Sequence, residues 1–350
     1  MRGLPLHGAG PEALYATFGV PMPARVIDFS TNASVLPWPD GLDVDLPALA
    51  SRYPDSECRA LRRIISEREG LSPRNVLFTN GSNEAIWLLA SLMSGARVGI
   101  VQPAYTEHAR ALEACGARVV PLDGIDRAQE LDAVSLTSPC NPTGGYVPRE
   151  RVVHVMGRAP GTLFIVDEAY VDFLLDVEPG PWPRPWPPRL VVLRSLTKIF
   201  HLSGLRVGYA LASEDMIARM AARQPSWSVS GPAQALARAF LERPCLIDAT
   251  RAFYRAETPR FVRALADAGW STRPSDVHFF LIGMHEMDDD LRVVRALLER
   301  GIVVRHGRNF TGLGGPCVRV ATRLPHEDDA LVAALTDILA SMPPARGRPA

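Results

Sequence analysis

Apolar, β-branched runs alternate with helical segments between residues 76 and 194, and this alternation restricts the chain more than any other feature of it. Strand-like runs cover 76–79, 97–101, 118–122, 133–137, 163–166 and 190–194, with helical patterns at 106–115 and 149–158 between them. Such alternation predicts βαβ units: an α/β fold with a large three-layer α/β/α domain whose mainly parallel sheet carries helices on both faces. Ligands in open sheets of this kind bind outside the carboxyl ends of the strands. The residues that directly follow the runs are therefore the candidate site.

Those residues are chemically versatile types. After the first run, Asn80-Gly81-Ser82-Asn83 enters an apolar helix, where free backbone N–H groups and the positive end of the helix dipole suit a phosphate. A capped helix without a ligand is the equal alternative. Tyr105 follows the second run, where an aromatic ring can stack on a planar ligand or simply pack. Asn141 lies in the rigid turn Ser138-Pro139-Cys140-Asn141-Pro142-Thr143-Gly144. Asp167 and Tyr170 follow the fifth run. A buried aspartate is costly unless it meets a cation or strong donors, and a protonated pyridine nitrogen would serve; capping the next helix is the alternative. Ser195-Leu196-Thr197-Lys198 follows the sixth run, and Arg206 comes next in a Gly-bounded turn. A buried amine there could form an imine with an aldehyde cofactor while Ser195, Thr197 and Arg206 hold its phosphate. Alone that tetrapeptide is commonplace in soluble proteins; its place at the end of an ordered set gives it weight.

Composition removes several classes of function. Lys+Arg 38 against Asp+Glu 38 leaves no net charge, so no global field recruits nucleic acid or an anionic membrane. Cys58, Cys115, Cys140, Cys245 and Cys317 are scattered without a C-x-x-C spacing, which argues against a disulfide framework or a metal site and for a reducing cytoplasm. Pro5, His7 and Glu12 interrupt the apolar run that a signal peptide needs, and no apolar run reaches the length of a membrane span.

The rest of the chain reads as accessory to the sheet. Residues 1–40 form an N-terminal arm that packs with the small domain, 41–232 the large domain, 233–340 a smaller α+β C-terminal domain, and 341–350 a disordered tail. A long helical region from 232 to 268 is interrupted at Pro244 and Pro259. The loop 176–189, crowded with Pro181, Trp182, Pro183, Pro185, Trp186, Pro187 and Pro188, is expected to be exposed and irregular.

The ordered set Asn80-Gly81-Ser82, Tyr105, Ser138 to Gly144, Asp167-Glu168-Ala169-Tyr170, Ser195-x-Thr197-Lys198 and Arg206-x-Gly208 resembles the fold-type I enzymes of the class I/II aminotransferase superfamily, which use pyridoxal 5'-phosphate. The resemblance implies that Lys198 forms the imine, Asp167 pairs with the pyridine N–H, Asn141 and Tyr170 contact the ring hydroxyl and Tyr105 stacks on the ring. Gly81, Ser82, Asn83, Ser195, Thr197 and Arg206 would hold the phosphate. Tyr53 is similar to a tyrosine that reaches the neighbouring subunit's cofactor, which implies a homodimer with shared active sites. Arg319 matches the arginine that clamps a substrate carboxylate, and Arg305 ends a strand where it can bind a second anion; Arg308 and Arg323 read as ordinary surface arginines. His7-Gly8, the segment ending in Asn32, Tyr53-Pro54-Asp55 and the stretch from Arg305 to Arg319 are similar to the threonine-phosphate decarboxylases of cobalamin biosynthesis, close relatives of the histidinol-phosphate aminotransferases. Expected from this are a small phosphorylated amino acid or amine as substrate, with His7, Asn32, Arg305 and Arg319 binding it. A non-catalytic regulator built on the same fold is the remaining alternative, with neither a DNA-binding extension nor a basic patch to favour it.

Overall fold

The computed structural model describes residues 4–5, 8, 10–42, 44–284 and 290–341. Its strands are Ile27–Asp28 (β1), Val76–Thr79 (β2), Arg97–Val101 (β3), Arg118–Leu122 (β4), Ala133–Thr137 (β5), Leu163–Asp167 (β6), Leu190–Ser195 (β7), Gly208–Leu211 (β8), Phe279–Gly283 (β9), Ile302–Val303 (β10), Arg305–His306 (β11) and Cys317–Ala321 (β12). The chain divides into two compact units, one of Ala33–Asn141 and Tyr146–Arg251, the other of Met1–Asn32, Pro142–Gly145 and Ala252–Ala350.

The larger unit is built on a seven-stranded sheet in the order β2-β8-β7-β6-β5-β3-β4. Neighbours from β4 to β7 pair in parallel, whereas β8 runs antiparallel to both β7 and β2. The carboxyl ends of β2, β3, β5, β6 and β7 consequently share one edge with the start of β8. Every residue of β2, β5, β7 and β8 is buried, as expected of strands covered on both faces. The helices Gly81–Ala90 and Thr106–Ala114 contribute Ile86, Leu89 and Ala111 to a core shared with Val98, Ile165 and Leu193. The helix Arg59–Glu69 stops at Gly70, which takes the left-handed conformation (φ +62°) that closes a helix cheaply only in glycine. Residues 33–40 and 233–251 also belong here: Trp38 meets Phe240 edge-on, with ring centroids 5.9 Å apart, and Gln234 Nε2 donates to the Asp55 carbonyl.

In the smaller unit β9, β12 and β11 form an antiparallel sheet, while β1 of the N-terminal segment pairs in parallel with β10. Its core gathers Phe29, Phe261, Phe280, Val320 and Leu335. Two expectations are corrected. Pro259 does not interrupt its helix, which runs unbroken over Cys245–Asp267. Buried Tyr254, Phe261 and Leu265 flank the proline, and their packing outweighs the lost backbone bond. The loop 176–189 is irregular but not simply exposed, because Trp182 is only 2% accessible and lies under the Arg149 guanidinium.

Candidate active site

The candidate phosphate cup closes around two glycines. Gly81 opens the helix Gly81–Ala90 at φ +69°, and a Cβ there would sit 2.7 Å from Arg206 Nη2. At Gly208 a Cβ would meet Ser82 N at 2.5 Å and the Arg194 carbonyl at 2.7 Å. Gly208 stands in register with both Thr79 and Ser195. The helix N-terminus, Ser195 and Arg206 are thereby drawn to one spot, where Ser195 Oγ and Thr197 Oγ1 lie 2.6 Å apart. Asn80 N donates to Glu84 Oε2 at 2.6 Å, and the first amides of any helix are the ones a ligand can take.

Asp167 closes β6 at 3% exposure, opposite Leu193 of β7 and Thr137 of β5. The Ala169 amide donates to its Oδ1 at 3.0 Å. Its Oδ2 lies 3.0 Å from His108 Nε2, and His108 Nδ1 in turn lies 3.0 Å from Ser135 Oγ. An ionised carboxylate can only accept, so with Asp167 charged the proton sits on Nε2. Burial, followed by Glu107, Tyr170 and Asp167, pushes the Tyr105 hydroxyl up, while Arg206 opposes the shift. Tyr105 thus shares one electrostatic neighbourhood with the aspartate, Tyr170 and the arginine of the cup. Lys198, half-buried in the short helix Leu196–Ile199, holds Nζ 6.0 Å from the centre of the Tyr170 ring. Asn141, buried, follows β5 in the predicted turn.

Among the described residues, the buried side-chain oxygens of Asn83 and Thr137 have no hydrogen-bond partner. Asn83 belongs to the cup, and Thr137 ends the strand beside Asp167, in register with it. Unsatisfied oxygens of this kind mark places where a polar ligand completes the bonding. A glycine-walled cup, a carboxylate, aromatic rings and an amine at one sheet edge fit a flat, phosphorylated aldehyde.

Tyr53 stands apart, 79% exposed and in tilted ring contact with Trp227, centroids 4.6 Å apart. Asn32, Arg305 and Arg319 belong to the smaller unit, and His7 lies outside the described residues. Arg305 and Arg319 face each other across the antiparallel pair β11–β12, both nearly inaccessible. Arg305 Nη1 donates to the Pro5 carbonyl at 2.9 Å and to His306 Nε2 at 3.0 Å, and Arg319 donates to the Ser30 carbonyl. Burial and Arg305 push the His306 ring down to about 4, so it accepts as neutral imidazole. Arg308 is an exposed arginine paired with Asp290, and Arg323 bonds Glu327 and the Asp28 carbonyl.

Sequence reasoning missed His108, Ser135 and the pairing of Glu168 with Arg149. His108 lies one helical turn beyond Tyr105, a spacing that puts both on one helix face, and only that could have drawn attention to it.

Fold and site together define the class: an α/β protein whose larger unit presents, at its strand ends, a candidate site for a planar phosphorylated cofactor. The chain belongs to the aminotransferase class I and II family, whose model matches residues 48–335, and that family is pyridoxal phosphate-dependent. It is 31% identical to the threonine-phosphate decarboxylase of Salmonella typhimurium over 97% of this chain and 98% of that one. It is 30% identical to histidinol-phosphate aminotransferase 2 of Ralstonia nicotianae over 91% and 90% of the two chains. The histidinol-phosphate aminotransferase of Sinorhizobium meliloti, solved in complex with pyridoxal-5'-phosphate, superposes with a TM-score of 0.79 at 26% identity, covering 97% of this chain and 98% of its own.

Proposed function

We propose that the protein decarboxylates L-threonine O-3-phosphate to aminopropanol phosphate, as a pyridoxal phosphate-dependent homodimer of the cytoplasm. The observation that carries this reading is the opposition of Arg305 and Arg319 in one ladder. Like charges placed directly opposite are unfavourable. Such a pair suits a substrate bearing two anionic groups, and threonine phosphate carries a carboxylate and a phosphate. A guanidinium fork matches either group. Arg319 takes the carboxylate and Arg305 the phosphate, with Asn32 and His7 as further substrate contacts. The five cysteines, none of them in a disulfide, suit a reducing compartment.

Bound at the strand ends, the cofactor supplies an electron sink for the pair left at the substrate's Cα. Lys198 would hold it through Nζ, Asp167 would pair with the ring nitrogen, Tyr105 would cover the ring face, and Asn141 and Tyr170 would meet the ring hydroxyl. Gly81, Ser82, Asn83, Ser195, Thr197 and Arg206 hold the phosphate. Released when the substrate's amine takes its place on the cofactor, Lys198 Nζ would be the free amine that delivers a proton to Cα where CO2 has left. Tyr53, exposed on the larger unit, is offered to the cofactor phosphate of a second copy.

The test incubates reconstituted enzyme with threonine phosphate alone and, separately, with histidinol phosphate plus 2-oxoglutarate, with products identified by mass. Aminopropanol phosphate formed without a keto acid supports the proposal. Amino transfer from histidinol phosphate, with no CO2 from threonine phosphate, replaces it by the aminotransferase reading that the second relative favours. Lys198→Ala should abolish either turnover and the visible absorbance.

A further inference from the structure

The roles above leave unused the Pro- and Trp-rich loop and the glutamate that follows Asp167, and the two meet through Arg149. Successive residues of a strand point to opposite faces of the sheet. Asp167 and Ser195 therefore address one face, and their neighbours Glu168 and Arg194 the other. The Glu168 carboxylate, 1% exposed, receives Arg149 Nε at 2.7 Å and Arg149 Nη2 at 2.8 Å. Arg194 Nε lies 2.8 Å away as an ion pair without the alignment of a hydrogen bond. Arg149 is fixed in turn, because its Nη1 donates to the Gly180 carbonyl at 2.6 Å and its guanidinium lies 5.1 Å over the Trp182 ring. One carboxylate thus ties together the end of β6, the end of β7, the start of the helix Arg149–Arg158 and the loop 176–189. Asp172 and Glu69 stand 3.7 and 3.8 Å from Arg194, and the three line a cavity of about 140 Å³ together with Arg68 and Tyr209. Tyr146 lies within the field of both Arg149 and Glu168.

We propose that Glu168, Arg149 and Arg194 are positioning residues that act from behind the sheet: they fix the strand ends carrying Asp167 and Lys198, and their charges set the field at Asp167. The proposal rests on the reading that Asp167 pairs with the cofactor's ring nitrogen. A buttress needed only for folding would alter stability and leave the field alone. Charge removal separates the two, since opposite charges must act with opposite sign.

The experiment reconstitutes wild type, Glu168→Gln, Arg194→Met and Arg149→Lys with pyridoxal phosphate and follows visible absorbance against pH. Glu168→Gln removes a negative charge and moves the transition down by about half a pH unit or more, and Arg194→Met moves it up by a similar amount. Arg149→Lys keeps the charge but loses the two-pronged contact, so the transition stays in place while kcat falls about tenfold at unchanged KM. Transitions at the wild-type pH in both charge variants, or shifts of one sign, overturn the proposal while the cofactor reading stands. A wild type with no visible band overturns both. Should Glu168→Gln fail to fold, Arg194→Met decides alone: an upward shift supports the proposal, and no shift or a downward one overturns it.

Discussion

Asp167 would be an expensive residue in the floor of a sheet if its oxygens had no partners, and His108 supplies one of them. Replacing His108 by Phe keeps a ring of similar size and leaves Oδ2 buried without its donor. Such an orphaned acceptor costs roughly 1–3 kcal/mol. The expected outcome for H108F is lower stability of the cofactor-free protein by about that amount, together with roughly tenfold weaker retention of pyridoxal phosphate as Asp167 loses its fixed orientation. Chemical denaturation and a binding titration at one pH measure both. Unchanged binding would show that the histidine merely fills space.

Among the elements, β8 decides how tightly the cup closes. Its first residue, Gly208, lies against Ser82 N, the Arg194 carbonyl and Gly81 C, all of them backbone atoms that cannot swing aside. Gly208→Ala must therefore push β8 from β7 or move the helix Gly81–Ala90, and the phosphate grip fails in either case. Gly204, in the preceding turn, is the matched control, because a Cβ added there would meet nothing within 4 Å. G208A should bind pyridoxal phosphate at least about tenfold more weakly, a loss of roughly 1.4 kcal/mol, while G204A binds like wild type; equal affinities would mean that the cup does not grip the phosphate. The same elements show what could be read from sequence. The strand–helix alternation placed Gly81, Tyr105, Asn141, Asp167 and Lys198 at strand ends because period and punctuation are local properties. His108 on Asp167, Glu168 on Arg149 and the burial of Trp182 depend on segments brought together only by the folded sheet, and no local pattern announces them. Pro259 misled for the converse reason: its local cost is real, and distant packing overrides it.

At the scale of the whole molecule, stability should depend on pH through one buried carboxyl far along the chain from any cofactor residue. Asp328, fully buried in the helix Pro325–Ser341, accepts the Arg323 amide at 2.9 Å. Burial pushes its carboxyl from 3.8 up to about 8; the Arg323 amide opposes this, Glu257 adds to it and Arg260 opposes it. The folded protein therefore holds a proton that the unfolded chain releases near pH 4. The group's favourable contribution is complete below that pH, declines as pH rises through about 8, and is absent above it. Asn at this position mimics the protonated acid: its oxygen still accepts from Arg323 and its amide donates toward Glu257. Asp328→Asn should then melt close to wild type at pH 4 and roughly 2–5 °C higher at pH 9, the gap opening between those limits. A gap independent of pH would mean that Asp328 does not keep its proton in the fold, and that the Glu257 carboxylate is neutralised by Arg260 alone.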